Sequence, residues 1–318
     1  MRRRAVLLGA LAAPALARAD TWPERPIRWV VNFPPGGAAD TLSRALADQI
    51  GGGLGQPIVV ENRPGAGGMV GSDLVAKAHG DAHLVIMSNA ASHGIGPVLY
   101  ANVPYDPLAD FRHLALVGTF ASVLCVNPAV PATTPGELAA LARRRGGIEY
   151  GSGGNGTLNH LIGQLFARAA GVTMLHVPYR GSAAALTDTT GGQIPAIMES
   201  LPIALPHLRA ARLRPLCTSE AARAAATPEV PSFAESGYPA VVATNWFGFS
   251  TAAGIPDAVA VRWQEAIGSA LAAPRLRERF AAIGVVPGRL GPVEYTALVA
   301  DELKRWKTVI AEAGIRPD

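Results

Sequence analysis

Along most of the chain, short runs rich in β-branched and aliphatic residues alternate with segments whose apolar positions recur at helical spacing. IRWVVNF (27–33) precedes a helical pattern at 40–50, PIVVENR (57–63) one at 71–78, and HLVIMSN (83–89) a loop-rich stretch. The series resumes with SVLCVNP (122–128) and 136–145, GIEYGS (147–152) and 158–170, and MLHVPY (174–179) and 183–190. IPAIMES (194–200) and RLRPLCTS (212–219) complete it. Such alternation predicts parallel sheets covered by helices, and two series predict two α/β lobes. Residues 241–254 read as an extended segment, followed by helices at 256–272, 274–283 and 293–313. In the last helix, Tyr295, Leu298, Leu303, Trp306 and Ile310 form an apolar stripe that must dock, and a chain returning from a second lobe puts it on the first. Extended crossings are expected near 116–126 and 241–249. The lobes are then 20–123 with 249–318, and 124–248.

Two strand-to-helix loops are rich in glycine. YGSGGNGTLNHLIGQLF (150–166) sets Gly151, Gly153 and Gly156 at G-x-G-x-x-G spacing, and NFPPGGAADTLSRAL (32–46) carries Gly36 and Gly37 behind Pro34 and Pro35. Glycine lets backbone approach a ligand closely, proline stiffens the entry, and the first-turn N–H groups of each helix have no intrahelical acceptor. Each loop is a candidate anion seat, and one per lobe would grip a ligand from both sides. The alternative at each is a tight turn and nothing more. A dinucleotide fits poorly: the strand after the second loop ends HVPYRG, without the acid that binds a ribose, and Arg180 suits only a 2′-phosphate.

The N-terminus follows another pattern. Arg2, Arg3 and Arg4 precede an uncharged stretch too short to span a bilayer, and Ala17 and Ala19 form an A-x-A site. This predicts a signal peptide at 1–19, cut before Asp20, and hence export to the periplasm. The four arginines of that segment, with no acid beside them, account for the whole excess of 28 basic over 24 acidic side chains. A neutral mature chain without basic stripes gives no footprint for nucleic acid. Cys125 and Cys217 sit in apolar strand-like runs and read as buried free thiols, with one disulfide as the alternative.

The loop motifs belong to a longer series that resembles the solute receptors of tripartite tricarboxylate transporters, the Bug receptors. FPPGGAADTLSR, VVENRPGAGGMVGSDLVA, MSNAASHGIGPVLYANVPYDPLADF, YGSGGNGTLNHLIGQLF, HVPYRGSAAALTDTTGGQI, PEVPSFAESGYP and WFGFSTAAGIP occur in order from Trp22 to the last helix. The resemblance implies an α/β, two-lobed periplasmic-binding-protein fold (type II-like), with parallel-rich sheets flanked by helices and a ligand cleft between the lobes. It also implies a small carboxylate ligand held mainly by backbone groups and waters, permease subunits as membrane partners, a monomer, and no cofactor. A receptor that signals to a membrane partner is the alternative role.

Carried over by position, the first loop supplies Phe33, Pro34, Gly36, Gly37 and Asp40, and the second Ser152, Gly153, Asn155, Gly156, Thr157 and His160. The walls come from Ser88, Asn89 and Ala90 and from Tyr179, Arg180 and Gly181. Glu199 joins them, where similar proteins usually carry Asp both there and at the Pro195 position. His160 is expected to donate to a ligand or shape the pocket, Asp40 to favour its helix N-terminus, and Trp246 and Phe247 to pack between lobes. His79 and His83 lie in a turn and give no metal site. The chain lacks G-x-S-x-G, G-x-x-x-x-G-K-[ST] and H-E-x-x-H, and no nucleophile, base and orienter can be named for an enzyme.

Overall fold

The computed structural model describes residues 22–316. The expected signal segment and its cleavage point lie outside the described residues. The chain begins with β1 (Ile27–Val31), α1 (Ala38–Leu54), β2 (Ile58–Asn62), a 3-10 turn (Ala66–Gly68), α2 (Met69–Ala76) and β3 (Leu84–Asn89). A π-helical turn (Ala90–Ile95) runs into α3 (Gly96–Leu99), and β4 (Phe111–Phe120) follows. Next come β5 (Ser122–Val126), α4 (Pro135–Arg145), β6 (Ile148–Ser152), α5 (Leu158–Ala170), β7 (Met174–Pro178), α6 (Ser182–Thr190), β8 (Ala196–Ser200), α7 (Leu201–Arg209) and β9 (Arg214–Thr218). The chain ends with β10 (Asn245–Ala252), α8 (Asp257–Ala272), α9 (Pro274–Ala282), β11 (Val286–Pro287) and α10 (Pro292–Ala313).

Two sheets result, in the orders β11-β4-β10-β3-β1-β2 and β7-β6-β8-β5-β9. The two-lobed α/β fold expected from the sequence is present, but its sheets are mixed. β1 runs parallel to β2 and β3, and β6 to β7 and β8. β10 is antiparallel to β3 and β4, and β5 to β8 and β9. The reason is connectivity. Only Ala121 separates β4 from β5, so the chain enters the second sheet beside the end of β8, with Ser122 opposite Ser200. It must then run against the parallel strands, and β10 re-enters the first sheet in the same way, with Phe247 opposite Asn89. The expected divisions at 123/124 and 248/249 fall inside β5 and β10, which belong whole to the second and first sheet.

Each sheet has its own core. Trp29, Phe249 and Trp263 are fully buried on the first, with ring centroids 4.9 and 4.7 Å apart along the series. Tyr150, Leu161, Phe166 and Phe233 centre the second. Burying each such side chain contributes roughly 1.5–3 kcal/mol. α10 departs from expectation: Tyr295 and Val299 pack with Leu116 and Trp246 of the first sheet, while Trp306 and Ile310 enter the second core. A helix of 22 residues outruns one small lobe, and it spans both. Cys125 and Cys217 are free and buried, on adjacent strands but packed into cores on opposite faces, so their Cβ vectors do not suit a bridge.

Candidate ligand-binding site

The parallel strands of both sheets end at one cleft, and the helices that follow begin there. An inner cavity of about 80 Å³ lies where these helix starts converge. Gly37, Ala38 and Ala39 open α1, Asn89 to Ala91 open the π-helical turn, and Thr157 to Asn159 open α5. Gly181 and Ser182 open α6, and Ser200 caps α7. Phe33, Pro34, Asn245, Trp246 and Phe247 complete the wall, and no charged side chain lines it. Gly37, the N-cap of α1, offers no side-chain cap, so the first N–H groups of that helix face the cavity unpaired by their own chain. Five helix starts at one point place partial positive charge there without a cation, which is the electrostatics of an anion seat.

The loops are held from behind. Asn32 donates to Ser72 Oγ (3.1 Å) and Ser92 Oγ (2.9 Å) and accepts from Asn89 Nδ2 (2.9 Å). Asp40 is turned towards its own loop: Oδ2 accepts the Gly36 N–H (3.1 Å), and Oδ1 accepts from Arg44 and Asn62 (3.0 Å each). Burial would raise its pKa, but these donors hold the carboxyl below its ordinary value. In the second loop, Thr157 Oγ1 donates to the Gly154 carbonyl (2.7 Å) and accepts the His160 N–H (3.3 Å). His160 Nδ1 accepts the Gly156 N–H at 3.3 Å, and its ring stacks on His176 at 4.1 Å.

The lobes meet at the lips of the cleft. A Cβ at Gly181, where φ is +109°, would lie 3.0 Å from Pro34 Cγ, and one at Gly156, where φ is +70°, 2.9 Å from Tyr100 Oη. Both positions therefore require glycine twice over, for backbone conformation and for space. Outside the lips, a wider hollow of about 480 Å³ is lined by Tyr100, Asn155, Tyr179 and Arg180 among others.

Of the residues named from sequence, Phe33, Pro34, Gly37, Asn89, Ala90, Gly153, Thr157 and Gly181 line the inner cavity. Asn155, Tyr179 and the exposed Arg180 line the outer hollow. Gly36, Asp40, Ser88, Ser152, Gly156, His160 and Glu199 line neither. Ser88 is bonded to Ser250 of β10 and to Tyr295 of α10 (2.7 Å each), and Ser152 pairs with His176 (2.7 Å). His160 shapes the loop from behind. Trp246 and Phe247, expected only to pack between lobes, face the cavity. Ala38, Ala39, Leu158 and Asn159, which fall within the expected loops 33–40 and 152–160, also line it, whereas Ala91, Ser182, Ser200 and Asn245 were not anticipated.

A cleft between two α/β lobes, walled by helix starts, defines a two-lobed solute-binding receptor. Residues 42–315 match the profile of the tripartite tricarboxylate transporter family receptor (TctC), and the chain belongs to this family of periplasmic receptors. It is 36% identical over 308 residues to Protein BugT of Bordetella pertussis, covering 96% of this chain and 94% of that protein. Among solved structures, R. palustris Rpa4515 with adipate superposes with a TM-score of 0.90 at 30% identity, over 93% of this chain and all of the other. MatC from Rhodopseudomonas palustris with bound malate gives 0.87 at 28% identity, over 91% and 100%. The family binds solutes and does not catalyse reactions, in line with the expectation against an enzyme.

Proposed function

We propose that this chain is exported, cut before Asp20, and captures a small carboxylate between its two lobes for delivery to the permease subunits of a tripartite transporter. The convergence of helix N-termini from both lobes on a cavity without a charged wall carries this reading. Such a site rewards a compact anion with hydrogen bonds from N–H groups that are fixed before binding. The relatives solved with adipate and malate support the ligand class. The test is a thermal-shift screen of the mature protein against mono-, di- and tricarboxylates, with calorimetry on the hits. A ligand at a hundred times its dissociation constant adds about 2.7 kcal/mol to stability. If no carboxylate shifts the transition at millimolar concentration, the reading fails.

A further inference from the structure

Among the described residues, three carboxyl groups stand behind the cavity wall, and one of them lacks a cation. Asp40 is 2.9 Å from Arg44, and Glu302, which accepts from the Trp246 indole at 3.1 Å, is 3.3 Å from Arg305. Glu199 has neither exposure nor a counter-charge: it is fully buried at the end of β8. Its Oε1 accepts the Ser200 N–H at 2.7 Å and Asn159 Nδ2 at 3.2 Å, while Oε2 is buried without a hydrogen-bond partner. Ser200 and Asn159 are both wall residues, and so is Ser182, whose hydroxyl also favours the charged form of Glu199.

We propose that Glu199 is a specificity-determining residue that makes anion binding proton-linked: the site takes its carboxylate together with one proton from solvent, held on the Glu199 carboxyl. This rests on reading the cavity as a carboxylate seat. An ionised Glu199 already occupies the donors of Ser200 and Asn159 and sets a second negative charge behind the wall the ligand must touch. Protonation removes that charge and gives Oε2 a hydrogen to donate. Two carboxylates sharing one set of donors do not both stay ionised.

The surroundings leave Glu199 alone in this role. On β5 it faces Val123, and the Cys125 thiol nearby is kept protonated by burial. On α5, the His160 Nδ1 is turned to Gly156. On β6, Tyr150 donates to the His160 carbonyl, and on α6, Asp188 is bonded to Tyr179. α7 presents Ser200, with His207 at its far end. Burial, opposed by the donors of Ser200 and Asn159 and by the nearby Ser182 hydroxyl, pushes the Glu199 pKa up to about 7, so a modest further rise on binding spans neutral pH.

The experiment is calorimetric titration of the mature wild type and Glu199→Gln with malate and with adipate, at pH 7 to 9, in buffers of differing ionisation enthalpy. For a rise of about one unit on binding, wild type should take up about half a proton per ligand at pH 7.5, and its affinity should fall about fivefold from pH 7 to 9. Glu199→Gln should bind without uptake and with affinity flat in pH. Binding by wild type with no proton uptake overturns this inference alone. Failure of every carboxylate in the screen overturns it together with the carboxylate reading.

Discussion

Replacing Gly37 by valine tests the anion seat at its narrowest point. Gly37 is the N-cap of α1 with φ −81° and ψ 173°, an extended conformation that β-branched residues adopt readily. A Cβ there would meet only the Pro34 carbonyl oxygen, at 3.7 Å. The fold should therefore lose only about 1 kcal/mol, the difference between glycine and a poor N-cap. Binding should suffer far more. The isopropyl group stands beside the N–H groups of Ala38 and Ala39, in a cavity of only about 80 Å³. Losing two charge-assisted hydrogen bonds, at about 1.5–3 kcal/mol each, costs about 3–6 kcal/mol and weakens binding more than a hundredfold. Calorimetry with the tightest carboxylate from the screen reads the affinity, and urea unfolding reads the stability. A variant that is folded, within about 1 kcal/mol of wild type, and binds like wild type would remove the start of α1 from the site.

Four further outcomes are expected. Gly156→Ala puts a methyl against Tyr100 and forces an L-residue to positive φ, so it should hold the lobes apart and raise the radius of gyration of the liganded protein in X-ray scattering, and Tyr100→Ala should partly restore closure. Arg180→Gln should change affinity less than about fivefold, because the side chain is exposed and lines only the outer hollow; a loss beyond a hundredfold would place the guanidinium on the ligand. The raised pKa of Glu199 means the folded state binds its proton more tightly than the unfolded chain, so stability is lost as pH climbs from about 4.5 to about 7 and is not regained above it. Glu199→Gln should then unfold at higher urea than wild type at pH 8, by about 3 kcal/mol, with no such gain at pH 4; equal gains at both would refute the linkage. Mass spectrometry of the native protein should find Asp20 first, and an intact Met1 would contradict export with cleavage.

The fold was legible where side chains obey a period. The runs at 27–33, 83–89 and 147–152 became β1, β3 and β6, and the helical patterns at 158–170 and 256–272 became α5 and α8, within a residue or so. Strand direction was not legible, because an antiparallel strand buried on both faces carries the same apolar run as a parallel one. β5 reads SVLCV and is buried throughout, yet it runs against β8. The stripe on α10 showed that the helix docks, and its length alone could have shown that one lobe does not cover it.

The site divides along a similar line. Glycine announces a backbone that something approaches, so the loops after β1 and β6 were found, and Phe33, Pro34, Gly37, Gly153 and Thr157 of those loops line the inner cavity. Asp40, expected to favour its helix N-terminus, and His160, expected to donate to a ligand or shape the pocket, each accept an N–H of the loop before their helix. A carboxylate or imidazole in the first turn of a helix satisfies the nearest free N–H, which belongs to the loop before it. Apart from Asn245, which opens β10, the residues missed share one address. Ser182 and Ser200 stand where β7 and β8 hand over to helices, as Gly37 does after β1, although no glycine pair marks the β8 junction. In a sheet whose parallel strands all end at the cleft, every such junction points a helix N-terminus at the same space, whatever residue occupies it. The signal that would have found them is topological: once two βα series are recognised, the first residues after each strand are candidates together. A site built from main-chain donors is spelled by the positions where strands end, and Glu199, a carboxyl behind the wall with no cation beside it among the described residues, is where side-chain chemistry enters.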